Sequence, residues 1–530
     1  MLRTESIRRL KTDSFDVLVI GGGATGAGIA LDAAARGLKV ALVEQNDFGS
    51  GTSSRSTKLV HGGVRYLEQA VLHLDRSQFR LVREALRERK ILSEIAPHLV
   101  HWLPLLIPMY RRFEATYYNA GLRMYDWLAG KNLVHRSRFA SPREALELCP
   151  FLKKSGLKGG VIYYDGQFDD ARMNLSILLT AQEKGAVISN YVSVTDLINP
   201  KGQITGAKLR DKLSGEQWEI SASIVINATG PLTDQLRKLD SPQSSPLLKV
   251  SSGAHLVLPL PTPQFAIGIL IPKTHDKRVL FVLPWQGKML VGTTDNPAEA
   301  SPDPKATESD VSFILDEYSR YFDVTPNRND ILSTWSGLRP LAHENASDST
   351  ASLSRDHVIH ESPSGLMSVF GGKWTTYRLM AEEAVDLISS RLSKSLAPCS
   401  TQKIKLHGAQ NFKENLQSQW EEQGVRSSTA THLKGTYGDK SKAILEIAKG
   451  AHGNLLHPDY PFIEAEVVYS ARQEFVVHSA DILFRRTRLA FLDKKAAEIC
   501  YPRVQSLLAQ ELGWTDKEKE ADFLHFKSQL

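Results

Sequence analysis

The sequence contains few cysteines, and their spacing excludes two classes of protein. Three cysteines are spread over 530 residues, at Cys149, Cys399 and Cys500, and no CxxC pair occurs. A small disulfide-stabilised scaffold and a cysteine-rich metal site both require more cysteines at closer spacing. We therefore expect a reducing compartment and predict no metal ligands.

Long apolar runs and a strong excess of charge are also absent. The longest apolar run, residues 99–110, is too short to span a bilayer and contains two prolines, so a buried strand is favoured over an edge facing a membrane or quinone. The first 14 residues lack the apolar segment of a signal peptide, which disfavours export. A formal net charge of +6 suits an anionic substrate or surface but is no nucleic-acid signature.

The most informative segment that is present covers residues 16–44, DVLVIGGGATGAGIALDAAARGLKVALVE. An apolar strand leads into Gly21, Gly23 and Gly26, which permit a tight turn, close approach of a pyrophosphate and close helix packing. The following helix N-terminus attracts phosphate, and Glu44 ends the second strand, where a carboxylate accepts hydrogen bonds from a ribose. The unit predicts a dinucleotide site but does not choose between FAD and NAD.

The rest of the chain divides by its pattern of elements, and its length predicts two or three domains. A Gly-, Ser- and Thr-rich loop at residues 45–66 follows the dinucleotide unit and is expected to wrap a ligand. Residues 158–230 predict alternating strands and turns, and residues 245–345 are β-rich. From about residue 395 the sequence becomes helical and charged, which predicts a domain boundary there.

Several cations and one histidine are candidates for chemistry. Four cations lie beside turns fixed by glycine or proline, namely Arg65, Arg339, Arg355 and Lys373. Each alone is compatible with an ordinary surface position, but together they favour a phosphate-bearing substrate, since arginine forks match phosphate oxygens. His255, at the predicted start of the strand HLVLPL, is either a base or a structural histidine.

Two clusters of arginine could contact anionic lipid or could be solvated or salt-bridged. The first cluster lies on one face of a predicted helix and comprises Arg76, Arg80, Arg83 and Arg87. The second lies near the C-terminus and comprises Arg485, Arg486 and Arg488.

These motifs resemble the FAD-dependent glycerol-3-phosphate dehydrogenase family. The matching stretches span nearly the whole chain and include IGGGATGAGIALDAAARGL, TSSRSTKLVHGGVRYLE, SGLRPL, SRDH, VFGGKWTTYR and EFVVHSADILFRRTRLAFL. The resemblance implies an α/β fold with three parts. These are a Rossmann-like FAD-binding domain (1–95, 150–245 and 346–392), a β-rich substrate-binding domain (96–149 and 246–345) and an all-helical C-terminal cap domain (393–530).

The resemblance also implies roles for individual residues. Gly21, Gly23, Gly26 and Glu44 would hold the ADP half of FAD. The remainder of FAD would be lined by Ser53, Ser56, Leu59, His61, Gly62, Thr229, Gly230, Gly371, Gly372, Thr375 and Thr376. His255 would accept the substrate's proton and Arg339 would stabilise the alkoxide. Arg65, Tyr66, Arg355 and Lys373 would bind the phosphate.

The implied reaction is oxidation of sn-glycerol 3-phosphate to dihydroxyacetone phosphate by hydride transfer to FAD. Electrons would pass to a membrane quinone, and the protein would be cytoplasmic, peripherally bound to an anionic inner-membrane surface, and a homodimer. Three alternatives stay open: a glycerol-3-phosphate oxidase, another flavin oxidase, and a non-catalytic FAD scaffold or sensor. The first is disfavoured because the family's oxidases carry an insertion that is missing here. An NAD-dependent dehydrogenase is disfavoured, since the HGG and FGGK turns have no evident nicotinamide role.

Overall fold

The computed structural model describes residues 2–63, 76–262, 265–276, 278–342, 357–392 and 394–530. Within these residues the strands form two sheets. Helices cover the sheets, and the residues from 394 onward form a helical region. The predicted fold class, α/β with a helical C-terminal domain, is confirmed.

The first sheet contains the dinucleotide unit. Its strands in the described chain are β1 (Phe15–Ile20), β2 (Val40–Val43), β7 (Val187–Ser189), β8 (Val192–Ile198), β9 (Gly206–Asp211), β10 (Gln217–Asn227), β17 (His357–Glu361) and β18 (Met367–Gly371). The order β18-β10-β1-β2-β7 is parallel throughout. Because these strands are parallel, their carboxyl ends meet at one edge, where such sheets bind ligands.

The second sheet carries His255 and Arg339. Its described strands are β3 (Leu59–Val60), β4 (Val100–Met109), β5 (Arg138–Ala140), β6 (Gly159–Phe168), β11 (Leu248–Pro259), β12 (Gly268–Ile271), β13 (Leu280–Trp285), β14 (Lys288–Gly292), β15 (Asn296–Ala298) and β16 (Ser333–Ala342). The apolar run at 99–110 becomes β4, which pairs with β6 along its whole length. His255 lies well inside β11 rather than at the start of a strand, because β11 begins at Leu248.

The described helices before residue 393 pack on both sheets. They are α1 (Leu2–Thr12), α2 (Ala24–Ala35), α3 (Arg76–Ile95), α4 (Arg112–Ala129), α5 (Pro142–Leu148), α6 (Asp170–Glu183), α7 (Thr233–Asp240), α8 (Glu308–Tyr321) and α9 (Tyr377–Arg391). Helix α2 lies between α6 and α9, and their apolar side chains form one buried core with β1 and β2. Gly28 permits this packing, since a Cβ there would lie 2.8 Å from the Tyr377 ring.

The helices of the C-terminal region pack against one another, and some of them also pack against the second sheet. They are α10 (Leu416–Glu421), α11 (Ser427–Tyr437), α12 (Ser441–Ile447), α13 (Glu464–Gln473), α14 (Leu489–Leu492), α15 (Lys494–Leu512) and α16 (Asp516–Gln529), with π-helical turns at Ala448–His452 and Asp481–Arg486. A shared apolar core joins α13, α14 and α15 to side chains of β4, β13 and β16.

The arginine cluster in this region does not face lipid. Arg485, Arg486 and Arg488 are 4%, 2% and 0% exposed. Arg485 and Arg486 both pair with Asp47, and Arg488 pairs with Asp170. Of the alternatives for this cluster, the salt-bridged one is therefore confirmed and the lipid contact is wrong, because its charges pair with the buried carboxylates of Asp47 in the loop after β2 and Asp170 in α6.

Candidate functional site

A cleft of about 390 Å³ lies at the carboxyl edge of the first sheet. The ends of β1, β2, β10 and β18 border it, together with the start of α2. Eight of the predicted cofactor residues line this cleft: Gly21, Gly23, Glu44, Ser53, Thr229, Gly230, Gly371 and Gly372. Lys373 lines it as well. Residues from three distant parts of the sequence are thus brought to one site.

Glycine is required at the turn between β1 and α2. Gly21 has φ +114°, and a Cβ on it would lie 2.5 Å from the Ala228 carbonyl oxygen. A Cβ on Gly26 would lie 1.9 Å from the Gly21 carbonyl oxygen. Gly26 therefore does not line the cleft but lets α2 approach the strand that forms it. The backbone N–H of Ala24, in the first turn of α2, donates to Ser53 Oγ at 2.9 Å.

Glu44 is held at the rim of the cleft by backbone donors. Its Oε2 accepts from the Gly22 N–H at 2.8 Å and its Oε1 from the Asn46 N–H at 2.9 Å. Desolvation raises the pKa of Glu44, and these two hydrogen bonds offset it only in part. A ligand hydroxyl that donates to this carboxylate would supply further stabilisation.

The other six predicted cofactor residues make internal contacts. Leu59 is buried in β3. The backbone N–H of His61 donates to Thr375 Oγ1 at 3.2 Å, and the Gly62 N–H donates to Tyr125 Oη at 2.9 Å. The remaining hydroxyls also bond within the protein, Ser56 to Asp170 and Thr376 to the Lys373 carbonyl. Their contact with a cofactor stays a prediction.

His255 is a buried, neutral imidazole on the second sheet. It is 2% exposed, and its ring stacks on Trp335 with centroids 4.1 Å apart. Its Nε2 lies 3.0 Å from Thr57 Oγ1. Burial, followed by the charges of Lys58 and Arg339, holds the pKa of His255 well below its usual value of 6.5. A neutral imidazole can accept a proton, as a general base must.

Arg339 lies on the same face of the sheet as His255. It pairs with Ser251 in the β11–β16 ladder, and Ser251, Gly253 and His255 alternate onto one face. The guanidinium donates to Asp295 Oδ1 at 3.2 Å and to Thr293 Oγ1 at 3.1 Å. A Cβ on Gly253 would lie 2.3 Å from Arg339 Nη2, so this glycine makes room for the guanidinium over β11.

The remaining predicted substrate residues cannot be placed, and several neighbours were not predicted. Arg65, Tyr66 and Arg355 lie outside the described residues. Thr57, Asp295 and Gly253 contact His255 or Arg339 without having been singled out. Gly253 could have been found, because an isolated glycine inside a strand indicates close approach of another group.

Comparisons with known proteins decide the family. Residues 16–387 match the family described as FAD dependent oxidoreductase, and residues 399–519 match the C-terminal domain of alpha-glycerophosphate oxidase. The mitochondrial glycerol-3-phosphate dehydrogenase of Bos taurus is 45% identical over 536 residues, covering 98% of this chain and 74% of its own. The chain belongs to the FAD-dependent glycerol-3-phosphate dehydrogenase family. A mitochondrial member from Arabidopsis thaliana is also 45% identical, over 96% of this chain and 84% of its own.

Solved structures of similar proteins agree with the fold. The glycerol-3-phosphate dehydrogenase from Bacillus halodurans complexed with FAD is 32% identical and superposes with a TM-score of 0.82, covering 100% of this chain and 98% of its own. The L-alpha-glycerophosphate oxidase of Mycoplasma pneumoniae, 18% identical over 73% of this chain and 97% of its own with a TM-score of 0.56, shares the fold.

FAD is the cofactor of this family, and the cleft fits it. The glycine turn has no space for a Cβ at Gly21, so the backbone itself borders the cleft there. The N-terminus of α2 follows this turn, and a helix N-terminus suits a pyrophosphate. The hydrogen-bonded carboxylate of Glu44 suits a ribose. Among the described helices, none combines the length and apolar composition needed to cross a bilayer.

Proposed function

We propose that this protein oxidises sn-glycerol 3-phosphate to dihydroxyacetone phosphate and passes the electrons to a membrane quinone. Relatives that are 45% identical over nearly the whole chain are named glycerol-3-phosphate dehydrogenases, which supports the oxidation of glycerol 3-phosphate. The observation that carries the proposal is the placement of a neutral His255 and the Arg339 guanidinium on one face of the second sheet.

His255 and Arg339 divide the work on the substrate hydroxyl. FAD, when bound, supplies the hydride acceptor. His255 takes the hydroxyl proton at Nε2, the atom that now faces Thr57 Oγ1. Arg339 stabilises the negative charge that develops on the same oxygen, and its partner Asp295 fixes the direction of the guanidinium. Lys373, beside the glycine turn after β18, binds the phosphate together with Arg65, Tyr66 and Arg355.

The test is anaerobic reduction of the bound flavin by glycerol 3-phosphate. We expect the flavin absorbance to bleach on mixing, and His255→Asn to slow bleaching by about 10²- to 10⁴-fold, the usual contribution of a positioned general base. The exposed His135 supplies the control, since His135→Asn should leave the rate unchanged. A flavin that glycerol 3-phosphate does not bleach would refute the activity and favour a scaffold or sensor. An unchanged rate in His255→Asn would refute only the role of His255.

The electron acceptor is tested separately. We expect a soluble quinone analogue to be reduced in proportion to the substrate oxidised, with little hydrogen peroxide formed in air. One peroxide per substrate would make the protein an oxidase instead.

The proposed homodimer is tested by sedimentation of the holoenzyme, and a monomer at micromolar concentration would contradict it.

The membrane surface is proposed on the basis of helix α3. Arg80, Arg83 and Arg87 are exposed and lie on one face of this helix. Such a face can rest on anionic lipid of the inner membrane, to which each cation adds on the order of 1 kcal/mol. A peripheral location at the cytoplasmic side would bring the site to the quinone pool.

A further inference from the structure

A buried lysine lies beside the site and takes no part in the mechanism above. Lys58 is 0% exposed and has φ +63°, a backbone conformation that costs energy in a residue other than glycine. Its ammonium donates to the Ser54 carbonyl at 2.8 Å and to both carboxylate oxygens of Asp170 at 2.7 and 2.9 Å. All three donors of the ammonium are thus used inside the protein.

A second cation converges on the same acceptors from the C-terminal region. Arg488 is also 0% exposed, has φ +64°, and donates to the Ser54 carbonyl at 2.6 Å and to Asp170 Oδ1 at 3.2 Å. The carboxylate of Asp170 therefore faces two buried cations, and a second carboxylate, Asp169, lies 3.9 Å from Arg488 Nε. Strained backbone and buried charge are both costly, and both tend to occur at functional sites.

The cluster of Lys58, Asp170 and Arg488 is linked to His255 through two intermediate residues, Thr57 and Trp335. Asp170 accepts from the Ser56 N–H at 2.9 Å and from Ser56 Oγ at 2.7 Å, and with its bond to Lys58 it holds both neighbours of Thr57. Thr57 Oγ1 in turn lies 3.0 Å from His255 Nε2.

The second link is the indole ring of Trp335. Lys58 Nζ lies 4.6 Å from the Trp335 ring centroid, and the His255 ring stacks on the same indole at 4.1 Å. The ammonium and the imidazole are therefore at most about 9 Å apart. At that distance and an effective dielectric constant of about 20, a unit charge changes the proton affinity of the imidazole by about tenfold or more.

We propose that Lys58 is a positioning residue for the reaction: through Asp170 it holds Thr57 against His255 Nε2, and its charge beside Trp335 keeps the imidazole unprotonated until substrate arrives. The proposal rests on the proposed role of His255 as the base. Burial beside Arg488 lowers the pKa of Lys58 to about 7, so the ammonium is the populated form in the acid range where His255 would otherwise take a proton.

The charges around His255 come from several elements, and their signs define a test. Lys58 and Arg488 supply positive charge and Asp169 and Asp170 negative charge on one side, while Arg339 and Asp295 form an ion pair on the other. Removing the cation and removing the anion of the Lys58–Asp170 pair both disrupt the hydrogen bonds between these two residues but change the net charge in opposite directions. A purely structural role predicts the same effect for both changes.

The experiment compares Lys58→Met with Asp170→Asn in the FAD-loaded protein. The titration of His255 is followed by NMR of histidine labelled with ¹³C, with the signal assigned by its loss in His255→Asn. We expect Lys58→Met to raise the midpoint by about one pH unit, a tenfold change in proton affinity, and Asp170→Asn to leave it unchanged or lower it. The acid limb of kcat/KM should move by the same amount in Lys58→Met.

Two results would overturn the proposal. One is a midpoint that does not move in Lys58→Met, and the other is a rise of equal size in both variants, which would mean that the bonds matter and the charge does not. If Lys58→Met does not retain FAD, Lys58→Gln, which keeps two donors, is measured with the same expectation. The NMR titration reports the imidazole whether or not His255 is the base, so failure of the proposed function is seen separately in the flavin reduction rate of His255→Asn.

Discussion

Gly253 is a single residue on which the placement of Arg339 depends. A Cβ at this position would lie 2.3 Å from Arg339 Nη2 and 2.5 Å from Thr293 Oγ1, so the guanidinium would have to move. Displacement of a catalytic group by about 1 Å can cost on the order of 10²-fold in rate. We expect Gly253→Ala to lower kcat/KM by about that factor while the FAD content, measured by absorbance, stays at the wild-type level.

The matched control for this change is Gly121→Ala. Gly121 lies in helix α4, and a Cβ there would have no neighbouring atom within 4 Å. Activity and FAD content should both be unchanged in this variant. If Gly253→Ala were as active as Gly121→Ala, Arg339 would have no role that depends on its position over β11.

The pH dependence of turnover follows from the state of His255. Burial, Lys58 and Arg339 hold its pKa well below 6.5, so the folded protein keeps the competent neutral form as the pH falls through that value. In the unfolded chain this histidine takes a proton near pH 6.5, so its contribution to stability decreases below that pH. We expect kcat/KM to stay constant down through pH 6.5 and to fall only at lower pH. An acid limb centred at 6.5 would show a freely titrating base and contradict this assignment.

At the scale of elements, local patterns were predicted well and long-range contacts were not. The strand, glycine turn, helix and strand at residues 16–44 are all present, because each depends only on neighbouring residues. Helix α6 was missed within residues 158–230, where strands and turns were expected. Nearly all of its residues are buried, so its sequence lacks the polar face that marks an amphipathic helix.

The candidate site shows the same limit. The glycines and Glu44 could be assigned from one segment, whereas Thr57 meets His255 across 198 residues of sequence. Spacing does not report such a contact, since it depends on how the loop after β2 crosses to the second sheet. Thr52 of the same loop bonds to the Leu338 carbonyl in β16 at 2.6 Å, which fixes that crossing.

Helix α3 permits a direct test of the membrane proposal. Its basic face would lose on the order of 3 kcal/mol of attraction to anionic lipid if three cations were removed, at roughly 1 kcal/mol each. We expect the triple change Arg80→Gln, Arg83→Gln and Arg87→Gln to weaken binding by about a hundredfold. Binding is measured by sedimentation with phosphatidylserine–phosphatidylcholine vesicles at low salt.

The control removes the same charge from the C-terminal region. Lys442, Lys449 and Lys517 are exposed, and changing all three to glutamine lowers the net charge equally. This variant should bind vesicles almost as well as the wild type. Equal weakening in both triple variants would mean that net charge, not the α3 face, drives attachment, and no binding by the wild type would refute the membrane surface.

At the scale of the whole molecule, buried ion pairs join the C-terminal region to the nucleotide-binding part. Asp47 accepts from Arg485 Nε at 2.5 Å and from Arg486 Nη1 at 2.7 Å, across more than 430 residues of sequence. Arg172 in α6 pairs with Glu474 in the same way. The sequence left a lipid contact, a solvated face and salt bridges open for these arginines, because composition does not reveal which charges meet a carboxylate in the fold.

Asp47→Asn tests how much these pairs hold the molecule together. The change leaves two buried guanidinium groups facing a neutral amide, and breaking a buried pair by removing one partner costs about 3–5 kcal/mol. We expect the free energy of unfolding in urea to fall by that amount. The exposed pair Arg143–Glu147, with side chains 91% and 61% exposed, is the control, and Glu147→Gln should change stability by less than about 0.5 kcal/mol. A loss in Asp47→Asn no larger than in Glu147→Gln would show that apolar packing alone, and not the Asp47 ion pairs, docks the C-terminal region on the flavin-binding part of the protein.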